Sequence, residues 1–234
     1  MDPTRSARRQ FLTDAFSLGS VLVAGTAAAR AEAAEAKAPD VSPTEDLMRE
    51  HGVLRRILLV YREVIHRIEV KEPVPSEQVA RAAEIVRAFI EDYHEKDEEE
   101  FIFPRFRKAG RLTGLVDVLV QQHQAGRKLT RSIQRLATTS ALAQPSAPAE
   151  LADSMRQFIR MYEPHAARED TVLFPAFLEL VSEKELHQLM ETFEQKEKAL
   201  PLGDFEKMVG AVAGIEKAFG IEDLARFTPA AAGR

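Results

Sequence analysis

The chain has 234 residues, 45% of them hydrophobic, so one domain with a substantial buried core is expected, together with accessory segments. Its formal net charge of −5 at pH 7 argues against nucleic acid and anionic membrane surfaces as partners. The absence of cysteine excludes disulfides, thiolate catalysis, cysteine-ligated zinc and iron–sulfur clusters. Any bound metal must therefore be held by histidine nitrogen and carboxylate oxygen.

The N-terminal segment has the layout of an export signal. Residues 8–12, Arg-Arg-Gln-Phe-Leu, resemble the twin-arginine motif, and an Ala/Gly/Val-rich stretch and small-residue cleavage frames follow them. The alternative of a membrane anchor is disfavoured, because the apolar stretch is too short and too rich in alanine and glycine to span a bilayer. The sequence thus predicts a twin-arginine-type signal peptide at 1–33, a periplasmic or extracellular location, and no stable membrane span in the mature chain.

From about residue 43 onward the chain shows helical periodicity, and no segment is typical of a strand. Apolar residues recur at steps of three and four residues along four long segments. The predicted bounds of these four helices are roughly 43–70, 76–103, 112–138 and 149–174. Pro104 and Pro175 are expected to end the second and the fourth helix, because proline lacks the N–H that continues a helix. Short connections favour an all-α, up-down-up-down four-helix bundle.

Two shorter amphipathic segments follow the predicted bundle, at about 182–199 and 203–219. They predict two additional C-terminal helices that pack on the outside of the bundle. The predicted domains are the bundle at 44–178, a helical extension at 179–222, and a disordered tail at 223–234.

One short pattern occurs twice in this chain. YHEKDEEEFIFPRF at 93–106 aligns position for position, without gaps, with PHAAREDTVLFPAF at 164–177. Each copy places a histidine and a glutamate one helical turn apart, so the two side chains share one face of a helix. An earlier pair of histidines, His51 and His123, repeats at nearly the same spacing. Two helical hairpins related by a pseudo-twofold axis follow from this repeat.

The four repeated histidines all fall within apolar stripes, which places them and the two glutamates in the bundle core. A buried, ionised carboxylate without a partner costs several kcal/mol or more. Near the centre of these stripes only Arg127 could compensate for such charges. Two metal ions would satisfy both carboxylates and all four imidazoles, and bundle cores hold carboxylate-bridged pairs of metals. The alternative, a metal-free helical scaffold, leaves these six buried residues unexplained.

With these motifs the chain resembles the hemerythrin-like (HHE cation-binding) four-helix domains over roughly 44–178. The resemblance implies a non-haem di-iron centre in which the two glutamates and an oxo or hydroxo group bridge the irons. The metal ligands that it implies are His51, His94, Glu98, His123, His165 and Glu169. Nitrogen and oxygen ligands suit iron, and manganese and zinc share this preference.

The chain departs from the oxygen-carrying members of that family at two positions. Their third helix carries a second histidine one turn after the first, where this chain has Arg127. Their last carboxylate is an aspartate that lies one position further from the histidine, where this chain offers both Glu169 and Asp170. The repeat favours Glu169, because Glu98 occupies the same position in the first copy. Asp170, Arg127 and Tyr162 are then candidates for hydrogen bonds that support the ligands.

The ligand set also bears on function. On an assumed six-coordinate geometry, four histidines, two bridging glutamates and one bridging oxygen leave about one position open on each iron. This arrangement favours binding or reduction of a small species such as O2, peroxide or NO over reversible oxygen carriage, and it is compatible with an oxidoreductase activity toward peroxide or NO. The alternative is a binding module that stores, senses or traffics iron or gas without catalytic turnover.

Overall fold

The computed structural model describes residues 41–229, and within that range the chain is helical with no strand. The predicted signal peptide at 1–33 and the end of the predicted tail, 230–234, lie outside the described residues. The fold is an all-α four-helix bundle with additional C-terminal helices. None of the helices between residues 41 and 229 has the length and apolar character needed to cross a membrane.

The first bundle helix is Pro43–Val70. Ser42 caps its N-terminus: its side chain accepts a hydrogen bond from the Glu45 backbone N–H, and the Glu45 side chain accepts one from the Ser42 backbone. At the other end, Lys71 adopts a left-handed conformation with a φ of 61°, and its N–H bonds carbonyls of the last turn. The helix therefore begins and ends where its local sequence indicates.

The second bundle helix runs without interruption over 76–109. It alternates α-helical and π-helical segments: Ser76–Ile85 (α), Val86–His94 (π), Glu95–Asp97 (α), Glu98–Ile102 (π) and Phe103–Ala109 (α). The third helix is Thr113–Leu136, and the connection after it contains one short helical turn, Thr139–Leu142. The fourth helix comprises Ala147–Arg168 (α), Glu169–Leu173 (π) and Phe174–Phe177 (α).

The expectation that Pro104 and Pro175 end their helices is wrong. Both prolines lie at the start of an α-helical segment that follows a π-helical turn. In that turn the N–H of Phe103 bonds the carbonyl of Glu98, and the N–H of Phe174 bonds that of Glu169. The wider turn changes the hydrogen-bond register just before each proline, so the missing N–H does not stop the helix.

The bundle core consists of two apolar clusters with a polar layer between them. The first helix packs against the second and the fourth, and the third helix also packs against these two. One cluster includes Tyr61, Phe89 and Phe158, and the other includes Phe106 and Phe177. On every bundle helix the repeated histidine lies between residues of the one cluster and residues of the other. The fold thus holds the polar layer away from both ends.

The two C-terminal helices are Glu183–Lys198 and Phe205–Phe219. Phe193 of the first joins one apolar cluster, whereas Val212 of the second joins the other. Arg56 of the first bundle helix donates to Glu216 at 2.9 Å, which ties the last helix to the bundle. The extension is therefore part of the core. A short 3-10 helix, Leu224–Phe227, lies within the predicted tail.

Lys196 connects the C-terminal extension to the second bundle helix. Its ammonium pairs with the carboxylate of Asp97, whose side chain is 1% exposed, and with Glu100 at 3.0 Å. Burial raises the pKa of Asp97 to about 6, and Lys196 opposes that shift. The Asp97 carboxylate thus relies on the extension for its counter-charge.

We therefore expect Lys196→Met to lower the free energy of unfolding at pH 8 by about 1–3 kcal/mol, because it leaves a buried carboxylate without a cation. The loss should shrink as the pH falls below about 6, where Asp97 takes up a proton in both proteins. Urea unfolding at both pH values measures this. The control is Lys198→Met, which removes an exposed pair with Glu194 and should change stability by less than about 0.5 kcal/mol. Equal effects of the two substitutions would contradict the explanation.

Candidate metal centre

The polar layer brings the six repeated residues together. None of the six is more than 3% exposed. The imidazole rings form two pairs: the centroids of His51 and His94 are 4.6 Å apart, and those of His123 and His165 are 5.0 Å apart. Residues 94 and 165 belong to the repeated pattern, and residues 51 and 123 to the preceding helices. Each pair thus joins two neighbouring helices of one hairpin.

Both glutamates lie between the two histidine pairs. An oxygen of Glu98 is 3.8 Å from His94 Nε2, and its other oxygen is 3.4 Å from His123 Nε2. Glu169 Oε2 lies 3.4 Å from His51 Nε2 and 3.0 Å from His165 Nε2. Each carboxylate therefore reaches a histidine from both pairs, which is the arrangement that a bridging ligand needs.

Ligand atoms in and beside this layer form three sets, each spanning no more than 4.8 Å; one of them, Glu95, Glu99 and His123, lies on the flank of the layer, and the other two share Glu98. Of these two, one contains Glu98, His123, His165 and Glu169, and the other contains His51, His94 and Glu98. The two sets that share Glu98 could hold two neighbouring cations.

The outer nitrogen of every imidazole contacts an oxygen atom. The Nδ1 contacts are Asp170 for His51 at 2.7 Å, Glu50 for His94 at 2.6 Å, Glu99 for His123 at 3.0 Å and Gln122 for His165 at 2.9 Å. Because carboxylate and amide oxygens accept hydrogen bonds, Nδ1 carries the proton in each ring and donates it. The Nε2 lone pairs are then left pointing toward the centre of the layer, as in histidines that bind metals.

The centre of the layer is rich in electron pairs and poor in donors. Among the described residues, the carboxylate oxygens of Glu98 and Glu169 and the Nε2 of His123 have no hydrogen-bond donor. The Nε2 atoms of His51 and His94 lie 3.1 Å apart with their lone pairs facing. Such an arrangement repels itself unless cations lie within it. Imidazole nitrogen and carboxylate oxygen are also the ligands that iron, manganese and zinc accept, so the residues fit a pair of such ions.

The pKa shifts of Glu98 and His94 agree with this view, whereas the pKa of His51 is raised because Asp170 and Glu169 outweigh the effect of its burial. Burial and the neighbouring charge of Glu169 raise the pKa of the Glu98 carboxyl well above its usual range. Protein groups alone therefore do not keep both carboxylates ionised, whereas cations between them would. Burial and the nearby His51 hold the pKa of His94 well below its usual range, which keeps that ring neutral as a ligand must be.

The chain belongs to the hemerythrin family. Residues 42–177, more than half of the chain, match the sequence profile described as the hemerythrin HHE cation binding domain. The chain is also 48% identical over 198 residues to "Uncharacterized protein Rv1995" of Mycobacterium tuberculosis (strain ATCC 25618 / H37Rv) and to "Uncharacterized protein Mb2018" of Mycobacterium bovis. The alignment covers 83% of this chain and 76% of each relative. No solved structure matches the chain.

In this hemerythrin-family bundle the pseudo-twofold relation extends to the groups around the histidines. Glu50 and Gln122 each stand directly before a predicted histidine ligand, and Glu99 and Asp170 each stand directly after a predicted glutamate ligand. Of these four acceptors only Asp170 is predicted from the sequence. The three that were missed share one signal, since each is the chain neighbour of a predicted ligand.

Two arginines follow the same relation. Arg127 lies one turn after His123 and pairs with Glu99 at 2.8 Å. Arg55 takes the corresponding place one turn after His51 and pairs with Asp170. Arg127 is predicted from the sequence as a supporting group, and Arg55 is not.

The sequence predicts that Tyr162 and Arg127 form hydrogen bonds that support the ligands, but in the structure both contact Glu95. The Tyr162 ring packs edge-on against His165, with centroids 5.3 Å apart, but its hydroxyl donates to Glu95 at 2.6 Å. Arg127 pairs with the other oxygen of Glu95 at 2.8 Å. These groups form a buried polar network on one flank of the layer.

The opposite flank is a mainly apolar cavity of about 370 Å³, whose lining also includes Arg55, Arg62 and Glu163. Its walls include Leu54, Leu58 and Ala166, and Tyr162 borders it as well. Leu54 follows His51 by one helical turn, and Ala166 directly follows His165, so the cavity adjoins the metal layer. The two flanks differ although the ligands are related by the repeat.

Gly126 gives Tyr162 its position. A Cβ atom at residue 126 would lie 2.0 Å from the Tyr162 hydroxyl oxygen, so only glycine lets the ring cross the third helix to reach Glu95. This close approach sets the shape of the polar flank.

Gly126→Ala should therefore lower the free energy of unfolding by about 1–3 kcal/mol, although alanine normally favours a helix. The control is Gly210→Ala in the last helix, where no atom lies within 4 Å of the added Cβ. We expect that change to be neutral or to stabilise by up to about 1 kcal/mol. Thermal unfolding of both variants measures the difference, and a Gly126→Ala protein as stable as the wild type would contradict the assigned role.

Proposed function

We propose that this protein is a non-haem di-iron protein that binds or reduces a small oxygen or nitrogen species such as O2, peroxide or NO. The observation that carries the proposal is the donor-free cluster of four imidazole lone pairs and two carboxylates in the core. Manganese and zinc accept the same ligands, so the choice of iron is part of the proposal.

In this proposal the six residues divide their roles according to the geometry. His51 and His94 would hold one ion, and His123 and His165 would hold the other. Glu98 and Glu169 each contact one histidine of both pairs and would bridge the ions. Bound ferrous ions supply electrons and coordination positions for small oxygen and nitrogen species.

The surrounding residues control what reaches the ions. Glu50, Glu99, Gln122 and Asp170 fix the orientation and tautomer of the four rings through Nδ1. The mainly apolar cavity beside Leu54 and Ala166 has room for a small uncharged molecule. Arg127 pairs with Glu95 and Glu99 and offers no ligand atom, so each ion would receive two protein nitrogens. This balance favours reaction at either metal over one-sided oxygen carriage.

We expect purified protein loaded with ferrous iron to hold about two iron ions per chain. His94→Ala and Glu169→Ala should each lose at least half of that iron, because each removes a ligand and leaves buried groups unpaired. Elemental analysis together with the optical spectrum of the oxidised protein measures this. Glu84→Ala, on the exposed side of the second helix, is the control and should keep full iron content. Full iron content in both ligand variants would overturn the ligand assignment.

A turnover measurement distinguishes a catalytic protein from one that only binds its ligand. The reduced protein should consume hydrogen peroxide repeatedly when an electron donor is supplied, and stopped-flow absorption should show the centre cycling. A single oxidation without further consumption would instead favour storage, trafficking or sensing.

We further propose that the protein is exported, on the strength of the arginine pair at 8–9. The twin-arginine route depends on this arginine pair. Replacing both arginines by lysine should therefore keep the protein in the cytoplasm. Cell fractionation of the two forms measures this, with the unchanged chain expected outside the cytoplasm. Equal distribution of both forms would contradict the proposal.

A further inference from the structure

Glu91 is a buried carboxyl to which the metal site assigns no role. It lies one helical turn before His94, its residue is 0% exposed, and its carboxylate lies beside the Thr130 hydroxyl and 3.9 Å from Arg87 Nε. Burying an ionised carboxylate is costly, so burial favours the protonated form of this group.

Polar groups from other bundle helices surround this carboxyl. The Thr130 hydroxyl faces the Glu91 carboxyl, and the Tyr61 hydroxyl and the Arg127 Nε are buried without hydrogen-bond partners in the described part of the chain. The charged or titratable groups that face Glu91 are Arg87, Asp92 and Glu95 on its own helix, Tyr61 on the first helix, Arg127 on the third and Tyr162 on the fourth. All four bundle helices thus contribute to one polar cluster.

The cluster reaches both the metal layer and the surface. On the inner side, the Arg127 guanidinium donates to the backbone carbonyl of Glu91 at 3.4 Å. It also pairs with the Glu99 carboxylate, which contacts His123. On the outer side, Arg87 Nε lies 3.9 Å from Glu91 Oε2 and 2.8 Å from an oxygen of Asp92, which is 51% exposed. A proton on Glu91 therefore lies between solvent and the metal ligands.

The repeat shows that this cluster is a feature of one flank only. Glu95 of the first copy aligns with Ala166 of the second. Thr130 of the second copy aligns with Leu58 of the first. Ala166 and Leu58 line the mainly apolar cavity on the opposite flank. A purely structural core would gain stability from apolar residues at position 91 as well, so the buried carboxyl calls for a chemical explanation.

We propose that Glu91 is the internal proton donor of the metal centre, a role that rests on the proposed function. Cleaving the O–O bond of hydrogen peroxide takes two electrons, one from each ferrous ion, and two protons, which leave both oxygens as water. Glu91 gives one of these protons toward the polar layer along the flank that Glu95 and Tyr162 line, and solvent supplies the other. The resulting carboxylate takes up a proton from solvent at the Arg87–Asp92 pair.

The first test asks whether Glu91 holds a proton. Burial raises the pKa of Glu91 to about 7, so infrared difference spectra should show a protonated carboxyl band that disappears as the pH rises through neutrality. Glu91→Gln should lack this band, and Glu84→Gln should retain it. An identical band in Glu91→Gln would overturn the proposal. This readout does not depend on turnover.

The second test is single-turnover oxidation of the ferrous protein by hydrogen peroxide, followed by stopped flow from pH 5 to 9. The wild-type rate should fall as the pH rises through about 7, because Glu91 loses its proton. Glu91→Gln should react about tenfold or more slowly below pH 7, with a flat pH profile. Its iron content and its binding of NO, which needs no proton, should be unchanged.

Glu91→Asp keeps the carboxyl and should recover part of the rate together with the pH dependence, which a merely structural role would not produce. An unchanged rate and pH profile in Glu91→Gln overturns the donor role alone. A wild-type protein that does not react with peroxide overturns the proposed function, and the donor role falls with it.

Discussion

The structure depends on one electrostatic constraint: two carboxylates and four imidazole lone pairs are enclosed in a helical core that supplies no donor for them. Glu98 and Glu169 are fully buried, and their oxygens are without hydrogen-bond partners in the described residues. Cations are the simplest groups that satisfy such a layer. The apolar clusters at either side keep water away, and the oxygen acceptors at each Nδ1 direct every Nε2 inward.

The pseudo-twofold repeat explains how one chain builds this layer. The departures from the repeat explain why the two flanks of the layer differ. Both glutamates begin a π-helical turn, and both turns are followed by a proline that the helix accommodates. The symmetry ends around the ligands, where one flank is a mainly apolar cavity and the other is a network of Glu91, Glu95 and Arg127. A small uncharged molecule and a proton would therefore approach the ions from different sides.

Much of this was predictable from the sequence, because helical periodicity and the doubled pattern are local signals. The first helix has its predicted bounds, and the six repeated residues meet in one layer. The continuation past Pro104 was not predictable, since it depends on a change of hydrogen-bond register that composition does not show. The role of Glu50 as an acceptor was missed because it involves a histidine on another helix. Lys196 was missed for the same reason, as its partner Asp97 belongs to a distant part of the chain.

The most direct test of the central claim is a crystal structure of the iron-loaded protein with anomalous diffraction recorded at the iron absorption edge. The account predicts two iron peaks in the polar layer, one at His51 and His94 and the other at His123 and His165, with both glutamates between them. A layer without iron, or a single ion held by other residues, would contradict the account.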